Sequence, residues 1–339
     1  MSWRVALSGG FLRGDGSPAF PDFDLTPLAA DPGITLLRLP PHDPIRAEDV
    51  TGLDALILLG EAFTVDSIAP DGRLALIARF GVGFDQVDTA SCTASGIAVA
   101  ITPDAVRRPV AVSILTLMLA LTGRLLTKDC LTREGPAGFG RRSEEMGVGL
   151  VGRVLGSLGM GNIGAEMFRL AAPLGMRMMA HDPYAEPATA SALGVELVGL
   201  DALFSQADVL AVNCPLNADT ARIVSAGRIA LMKPSAFLIN TSRGGTVDEV
   251  ALAAALCEGR LAGAGLDVFD PEPPAANAAI LQAPNVIATP HALSWTDQGF
   301  AAIGASCIEA VRAAQAGRLP EYLANPAVRS GNTRILRSH

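Results

Sequence analysis

The chain has 339 residues, half of them hydrophobic, which suits two domains of ordinary size with a large core. Its formal net charge of -8 argues against nucleic acid as the main partner. The five cysteines are scattered with no C-x-x-C pair, which argues against a disulfide framework or a structural zinc site, so we expect no metal and a reducing, cytoplasmic location.

The N-terminal third of the chain alternates short apolar runs with helix-capable or loop segments. It begins without the long apolar core of a signal peptide. Continuous apolar runs of this length suit a parallel sheet covered on both faces. The predicted strands are 5–8, 34–39, 55–59, 74–78 and 97–101.

A long apolar helix is predicted near residues 109–126, starting at Pro109, which is favourable as a first helical residue. Its apolar stretch is shorter than a typical membrane span, so we expect a buried helix and no membrane partner. Arg107 and Arg108 would then lie at the positive end of the helix dipole, which costs stability unless something anionic compensates.

A second series of strands follows this helix. The predicted strands are 154–158, 176–180, 209–212, 236–239, 263–266 and 286–288. Six strands in that order match a complete doubly wound nucleotide-binding domain. The last predicted element is a helix from Trp295 to about residue 315.

The pattern G-x-G-x-x-G occurs twice in GVGLVGRVLGSLGMGNIG, residues 147–164. The first copy (Gly147, Gly149, Gly152) leads into the apolar strand 154–158. The second copy closes that strand and opens an amphipathic helix that Gly175 is placed to end. A dinucleotide fingerprint needs this order of strand, glycines and helix. The second copy is therefore the predicted phosphate loop.

The glycines of the second copy have separate physical roles. Gly159 permits the tight turn, Gly161 lets the backbone approach a pyrophosphate, and Gly164 lets the helix pack on the strand. The helix start offers free N–H groups and a positive dipole end to the anion. Asp182, at the end of the next strand, would accept hydrogen bonds from the ribose hydroxyls and repel a 2′-phosphate. The sequence therefore predicts NAD rather than NADP.

Three polar residues follow strands of the second series: Arg243 in NTSRGG, Glu272 in LDVFDPEPP and His291 in ATPHA. Ligands of open α/β sheets bind outside the carboxyl ends of the strands. Arg243 can hold a carboxylate bidentately, and His291 can exchange a proton while a nicotinamide exchanges hydride. Glu272 can orient the imidazole and favour its protonated form. The alternative for each residue alone is a solvated or structural side chain.

Several spaced motifs together resemble the D-isomer-specific 2-hydroxyacid dehydrogenase family. They are LGMGNIG, HDPY, NTSRGGTVDE, GLDVFDPEPP and ATPHA, with ARFGVGFDQVD at 78–88 and LPEYLANPAV at 319–328. The resemblance implies an α/β fold of two domains. A doubly wound parallel Rossmann domain that binds NAD (104–291) would be inserted in a flavodoxin-like substrate domain (1–103 plus 292–339).

The resemblance also assigns roles to individual residues. The catalytic Arg, Glu and His of the family fall on Arg243, Glu272 and His291, and its nicotinamide carboxamide contact falls on Asp267. Its substrate loop falls on Phe80, Gly81, Val82 and Gly83, where the N–H groups of Val82 and Gly83 would meet the substrate carboxylate. The predicted cofactor-binding set is Gly159, Met160, Gly161, Asn162, Ile163, Gly164, Asp182, Cys214, Pro215, Thr241, Ser242, Arg243, Asp267 and His291.

The activity implied is NAD-dependent interconversion of a D-2-hydroxy acid and its 2-oxo acid. A homodimer formed through the nucleotide domains is expected, with the apolar helix from Pro109 as a contributor. Two alternatives share the architecture. One is a formate- or phosphite-type dehydrogenase, and the other is an NAD-sensing binding protein similar to the corepressors of this fold.

The sequence departs from the family pattern at two places. Arg107 and Arg108 precede Pro109 where members usually show a segment like SVAE. Either arginine would recognise a second anionic group of the substrate, or the two form a solvated pair or a salt bridge to an acid across the domain gap. After His291, where many members have a glycine-containing loop, Trp295 would wall the substrate pocket or pack at the domain hinge.

Overall fold

The computed structural model describes residues 2–20, 22–330 and 333–335. These residues form two compact units. The flanking unit joins the described residues up to Val106 with those from Trp295 onward, and the central unit is Arg107–Ser294. The boundaries expected from the sequence, after residue 103 and after residue 291, lie a few residues earlier in the chain.

The regular elements of the described residues follow one another in α/β alternation. The strands are β1 (Trp3–Leu7), β2 (Ile34–Arg38), β3 (Ala55–Leu58), β4 (Leu76–Arg79), β5 (Ala98–Ala100), β6 (Val154–Leu158), β7 (Arg177–His181), β8 (Val195–Leu197), β9 (Val209–Val212), β10 (Phe237–Asn240), β11 (Gly263–Leu266) and β12 (Val286–Ala288). The helices are α1 (Thr26–Ala29), α2 (Ala47–Val50), α3 (Thr89–Ala94), α4 (Pro103–Thr122), α5 (Leu125–Arg133), α6 (Pro136–Gly140), α7 (Asn162–Ala171), α8 (Pro187–Ala192), α9 (Leu200–Gln206), α10 (Ala226–Ile229), α11 (Glu249–Cys257), α12 (Ala279–Gln282) and α13 (Asp297–Gln315).

The flanking unit contains a parallel sheet with the strand order β2-β1-β3-β4-β5. This is the flavodoxin-like order, and it confirms the predicted fold of this part. Helix α13, from the other end of the chain, buries Ile308 and Val311 in one core cluster with Val5 and Leu76. Both ends of the chain therefore build one core.

The central unit contains a parallel sheet with the order β12-β11-β10-β9-β6-β7-β8. Strands β6 to β11 reproduce the 3-2-1-4-5-6 order of a doubly wound nucleotide-binding sheet, which confirms the predicted fold class. The prediction of six strands was wrong by one. Strand β8 was missed because it has only three residues and its middle residue, Glu196, is exposed, so it forms no apolar run.

Helix α4 starts earlier than predicted. It begins at Pro103, so Pro103 takes the first helical position and Pro109 lies inside the helix. Arg107 and Arg108 consequently fall in the second turn. The expected dipole cost at these arginines was therefore wrong, since the dipole effect falls off within the first turn.

Helix α4 is the one helix of the described residues that is long and apolar enough to cross a membrane, with 20 residues and a mean hydropathy of 1.5. Its Ala111, Ile114 and Met118 are nevertheless buried in a core cluster of the central unit. A Cβ added to Gly265 of β11 would lie only 2.9 Å from Cβ of Leu117. The helix packs directly on the sheet, as the core helices of folded domains do.

Candidate active site

The phosphate loop predicted from the second glycine copy joins β6 to α7 in the central unit. Gly159 has a φ of +96°, and a Cβ there would lie 2.9 Å from the backbone N of Cys214. A Cβ on Gly164 would lie 2.6 Å from the Gly159 carbonyl oxygen. Neither position accepts a side chain, which is the reason for the glycines. Gly152, of the first copy, lies in the turn before β6 with a φ of +76°, so that copy is the approach to the strand, as predicted.

Gly161 differs from its neighbours because a Cβ added to it would meet nothing within 4 Å. It is the N-cap residue of α7, with Asn162 and Ile163 as the first two helical residues. The open space therefore lies beside the N–H groups of the first turn, where the helix dipole favours an anion. This is the space that a pyrophosphate needs.

Asp182 follows β7 and is connected to the glycine loop. Its Oδ2 accepts a hydrogen bond from the N–H of Met160 at 2.8 Å, and its Oδ1 accepts one from the N–H of Tyr184 at 2.8 Å. Each carboxylate oxygen has a second acceptor position. Asp182 can therefore hold the loop and still accept hydrogen bonds from a ribose.

The remaining cofactor candidates lie at the carboxyl ends of neighbouring strands. Cys214 and Pro215 follow β9, and burial raises the pKa of the Cys214 thiol to about 11, so this side chain adds no negative charge beside a phosphate. Thr241 follows β10, and its Oγ1 is buried without a hydrogen-bond partner within the described part of the chain. A bound dinucleotide would give this hydroxyl a hydrogen-bond partner. The open space at Gly161 and the carboxylate of Asp182 fit the same ligand.

The segment that carries Arg243 is held by Asn240, the buried last residue of β10. The Asn240 Nδ2 donates to the carbonyl oxygen of Arg243 at 2.9 Å, and its Oδ1 accepts from the N–H of Ser242 at 3.0 Å. Arg243 Nη1 donates to the carbonyl oxygen of Ser242 at 2.7 Å. Sequence reasoning missed Asn240; the available signal was a polar residue at the end of a buried apolar strand.

The loop after Arg243 lies against the loop that carries Glu272. A Cβ on Gly244 would lie 1.9 Å from the carbonyl carbon of Phe269 and 2.5 Å from the backbone N of Asp270. No side chain fits between these two backbones. The glycine after Arg243 therefore brings two segments far apart in the sequence to one place.

His291 and Glu272 form a hydrogen-bonded pair. The Nδ1 of His291 lies 2.8 Å from Oε2 of Glu272, and Oε1 of Glu272 accepts from the N–H of Phe269 at 2.8 Å. Burial by itself would raise the pKa of the Glu272 carboxyl, but these hydrogen bonds and the charges of His291 and Arg243 outweigh burial and lower it. Glu272 thus interacts electrostatically with both of the other predicted catalytic residues within the central unit.

Asp267 is buried after β11 and organises the segment around His291. Its Oδ1 accepts from the Thr289 hydroxyl at 2.6 Å and from the N–H groups of Ala292 and Leu293 at 3.1 and 3.2 Å. This residue was expected to contact the nicotinamide. Its hydrogen bonds within the protein also fix the backbone on both sides of His291.

The predicted substrate loop, Phe80 to Gly83, directly follows β4 in the flanking unit. Phe80 is buried, and Gly81 has a φ of +135°, a conformation that favours glycine. Among the described residues, no acceptor takes the N–H groups of Val82 and Gly83. These donors are available to an anion, as the loop assignment requires.

Trp295 belongs to an aromatic cluster of the flanking unit, formed by Phe11, Phe20, Phe23, Phe80, Trp295 and Phe300. Its ring packs edge-on against Phe20 and Phe300, with centroids at 5.2 and 5.3 Å. Phe300 also packs at 5.3 Å against Phe80, the first residue of the substrate loop. Trp295 keeps 51% of its surface exposed, so one face remains open.

Arg108 has a partner within the central unit. Its Nη1 donates to Oε1 of Glu166 at 2.8 Å, and Arg169 Nη1 donates to the other oxygen of Glu166 at 3.1 Å. Glu166 is buried in α7, so Arg108 joins α4 to the nucleotide-loop helix. This ion pair lies within the central unit, whereas the salt bridge considered as the alternative to substrate recognition was one across the domain gap. Arg107 precedes it in α4 and is half-buried.

Among residues 2–20, 22–330 and 333–335, no group of three or more His, Cys, Asp or Glu side chains is arranged to hold a metal ion.

Comparisons with known proteins agree with this geometry. A family model described as "D-isomer specific 2-hydroxyacid dehydrogenase, NAD binding domain" matches residues 115–292. The chain is 34% identical over 291 residues to a glyoxylate reductase of Korarchaeum cryptofilum, covering 85% of this chain and 88% of that protein. It is 36% identical over 280 residues to a D-3-phosphoglycerate dehydrogenase of Methanocaldococcus jannaschii, covering 82% of this chain.

The chain spans about half the length, 53%, of that phosphoglycerate dehydrogenase. Among solved structures, a glyoxylate reductase from Paecilomyes thermophila has a TM-score of 0.81 and 27% identity, with 95% of this chain and 98% of that chain covered. The structural match therefore extends over both units, whereas the family model covers the central one.

Proposed function

The chain belongs to the D-isomer-specific 2-hydroxyacid dehydrogenase family, and from this premise we propose that it interconverts a D-2-hydroxy acid and its 2-oxo acid with NAD as cofactor. The observation that carries the proposal is the 2.8 Å contact between His291 and Glu272, at the edge of the sheet that also carries the glycine loop. A proton-exchanging group beside a dinucleotide site is what hydride transfer to a carbonyl needs.

The chemistry divides between the cofactor and three side chains. When bound, the nicotinamide supplies the hydride for reduction and accepts it in oxidation. Arg243 binds the carboxylate of the acid and polarises the adjacent carbonyl. His291 donates a proton to the carbonyl oxygen in reduction and removes it from the hydroxyl in oxidation.

Glu272 determines which nitrogen of His291 exchanges the proton with the substrate. A carboxylate only accepts hydrogen bonds, so Nδ1 carries the hydrogen in the pair and Nε2 is left for the substrate. The carboxylate also compensates the positive charge of the imidazole while it holds the proton. Because the pKa of Glu272 is lowered, this charge persists under mildly acidic conditions.

We further propose NAD rather than NADP as the preferred cofactor. Asp182 places a negative charge next to the N–H of Met160, where a ribose would be recognised. A 2′-phosphate there would meet a like charge, and repulsion of this kind near a protein surface amounts to about 4 kcal/mol at 4 Å. Comparable turnover with NADPH would contradict the assignment.

For the substrate we propose a 2-oxo acid with an uncharged, apolar side chain. Val82 and Gly83 offer N–H groups to the carboxylate, and the aromatic cluster that supports Phe80 leaves Trp295 half exposed. The charge of Arg108 is already compensated by Glu166, which argues against its use for a second anionic group. A preference for dianionic acids would contradict this proposal.

We also propose that the protein is a homodimer that associates through the central unit. Apolar side chains on the outer side of this unit are about half exposed: Val112 47%, Leu119 46%, Leu125 58% and Leu126 53%. Val112 and Leu119 are one heptad apart and share a face of α4. Large apolar side chains that stay exposed along one helix face are typical of interaction sites.

The experiment that tests the function is NADH oxidation by the purified protein with a panel of 2-oxo acids. The panel runs from glyoxylate and pyruvate through hydroxypyruvate and its phosphate to a bulky aromatic acid, with His291→Ala and Trp295→Ala beside the parent. We expect turnover that His291→Ala abolishes, and a loss in Trp295→Ala that is largest for the aromatic acid. Bound NADH without turnover on any acid would instead support the formate- or phosphite-type or the sensing alternatives.

A further inference from the structure

Glu249 is a half-buried carboxylate outside the catalytic trio. It is the first residue of α11, in the segment TVDE that follows the Arg243 loop. Its Oε1 accepts a hydrogen bond at 2.8 Å from the N–H of Asp270, which lies 21 residues further along the chain. The neighbouring Asp248 caps α11 by accepting from the N–H of Ala251, so the start of the helix has its own acceptor without Glu249.

The target of this hydrogen bond is the turn that carries Glu272. Within this turn, the N–H of Phe269 is taken by Glu272 itself at 2.8 Å, and the next N–H, that of Asp270, is taken by Glu249. The turn also lies against Gly244, where even a Cβ would overlap the Phe269 carbonyl. Two carboxylates and one glycine therefore fix the backbone from which Glu272 reaches His291.

A charge on Glu249 has an electrostatic cost, which comes mainly from burial and in smaller part from nearby carboxylates. Burial is the main cause that raises the pKa of Glu249, and the nearby charges of Asp270 and Glu272 raise it further, while the hydrogen bond from the N–H of Asp270 opposes them. Glu272 faces His291 and Arg243 and has a lowered pKa. A glutamine would make the same hydrogen bond without this cost, provided that its carbonyl oxygen faces Asp270.

We propose that Glu249 is a positioning residue for the reaction: by holding the N–H of Asp270 it fixes the turn that presents Glu272 to His291 beside the Arg243 loop. The inference rests on the proposed function, because it assigns Glu249 to the same site. Glu249 touches neither substrate nor cofactor in this role. It acts through the position of Glu272.

The test compares Glu249→Ala, which removes the acceptor, with Glu249→Gln, which keeps an acceptor and removes the charge. The control is Glu258→Ala; Glu258 caps the other end of α11 and bonds to Arg260, away from the trio. We expect Glu249→Ala to lower kcat about 100-fold, since a displacement of about 1 Å has that effect on a catalytic group. The Kd for NADH should stay unchanged, Glu249→Gln should recover most of kcat, and Glu258→Ala should match the parent.

Two results would overturn the proposal: parent-like kcat in Glu249→Ala, or a loss in Glu249→Ala that Glu249→Gln does not recover. A crystal structure of Glu249→Ala gives a readout that does not depend on turnover, and an intact contact between Nδ1 of His291 and Oε2 of Glu272 in it would also refute the inference. Failure of the proposed function appears differently, as an inactive parent enzyme.

Discussion

The Nδ1 of His291 lies 2.8 Å from Oε2 of Glu272, and His291 makes this contact with a left-handed backbone φ of 53°. A residue other than glycine in this conformation costs about 1 kcal/mol or more and persists only where its surroundings hold it. Asp267 provides that hold through the N–H groups of Ala292 and Leu293 and the hydroxyl of Thr289. The ring is therefore aimed by its backbone and by its carboxylate partner together.

Replacing Glu272 tests the electrostatic part of this arrangement. In Glu272→Gln the side chain can still accept from Phe269, but it offers His291 a neutral amide in place of a carboxylate. We expect kcat/KM to fall roughly 100-fold or more, within the range contributed by general acid–base catalysis. The Kd for NADH, measured by nicotinamide fluorescence, should not change, and a parent-like kcat/KM would exclude Glu272 from the reaction.

Gly161→Ala tests the phosphate loop without disturbing the fold. A Cβ at Gly161 meets no protein atom within 4 Å, so the melting temperature should stay within about 2 °C of the parent. The methyl group would occupy the space beside the first turn of α7, so we expect weaker NADH binding by at least about 10-fold, or ~1.4 kcal/mol.

The matched control for this variant is Gly199→Ala. Gly199 is also the N-cap of a helix, α9, and a Cβ there also meets nothing within 4 Å. Both proteins should fold alike, and only Gly161→Ala should bind NADH poorly. Equal NADH affinity in the two variants would mean that the cofactor does not approach this loop.

The ion pair of Glu166 with Arg108 and Arg169 predicts a pH-dependent contribution to stability. The hydrogen bond from Arg108, with smaller effects of Arg169, lowers the pKa of Glu166 below its ordinary value of 4.5 although burial opposes this. A carboxyl whose pKa is lower in the folded than in the unfolded state stabilises the fold above its unfolded pKa, and the effect disappears as pH falls through the folded value. Glu166→Gln should therefore lower Tm at neutral pH and approach the parent below pH 4.5.

Thermal melts of both proteins at several pH values check this expectation. The control is Glu258→Gln, since Glu258 is exposed and its ion pair is with Arg260, two residues further along the chain. Its Tm should follow the parent at each pH. A Tm difference between Glu166→Gln and the parent that stays constant across the acid range would contradict this prediction. The variant would then be destabilised by altered packing rather than by loss of the charge.

Leu119→Asp tests the proposed dimer. Leu119 is 46% exposed on α4, and a charge there would be desolvated in an apolar interface. We expect the mass measured by light scattering to fall from dimer to monomer at micromolar concentration. Val250→Asp, at a position of α11 that is 80% exposed, should leave the mass unchanged. A dimer that survives Leu119→Asp would place the interface elsewhere.

Much of the architecture could be predicted from local patterns. Apolar runs of four or five residues mark parallel strands, and the run that ends at Gly159 followed by the amphipathic Asn162–Ala171 helix marks the phosphate loop. Residues that follow such strands share one sheet edge, so Arg243, Glu272 and His291 could be grouped before any coordinates were known.

The sequence by itself therefore determined the fold class and the place of the glycine loop, and it predicted the trio of Arg243, Glu272 and His291, because each depends on periodicity or on a short segment next to a strand. The tertiary structure decided which groups hold them in place. Asn240, Glu249 and Asp267 act through hydrogen bonds to backbone N–H or carbonyl groups that no local pattern identifies.

Long-range contacts also explain why the predictions for the first turns of α4 were incomplete. Helix α4 extends back to Pro103 and tolerates Pro109 inside it because its buried face packs on the sheet, which outweighs one missing hydrogen bond. Arg108 lies 58 residues from Glu166, so its partner became visible only when the two helices were brought together. Contacts between distant segments depend on packing, and packing is a property of the whole folded chain.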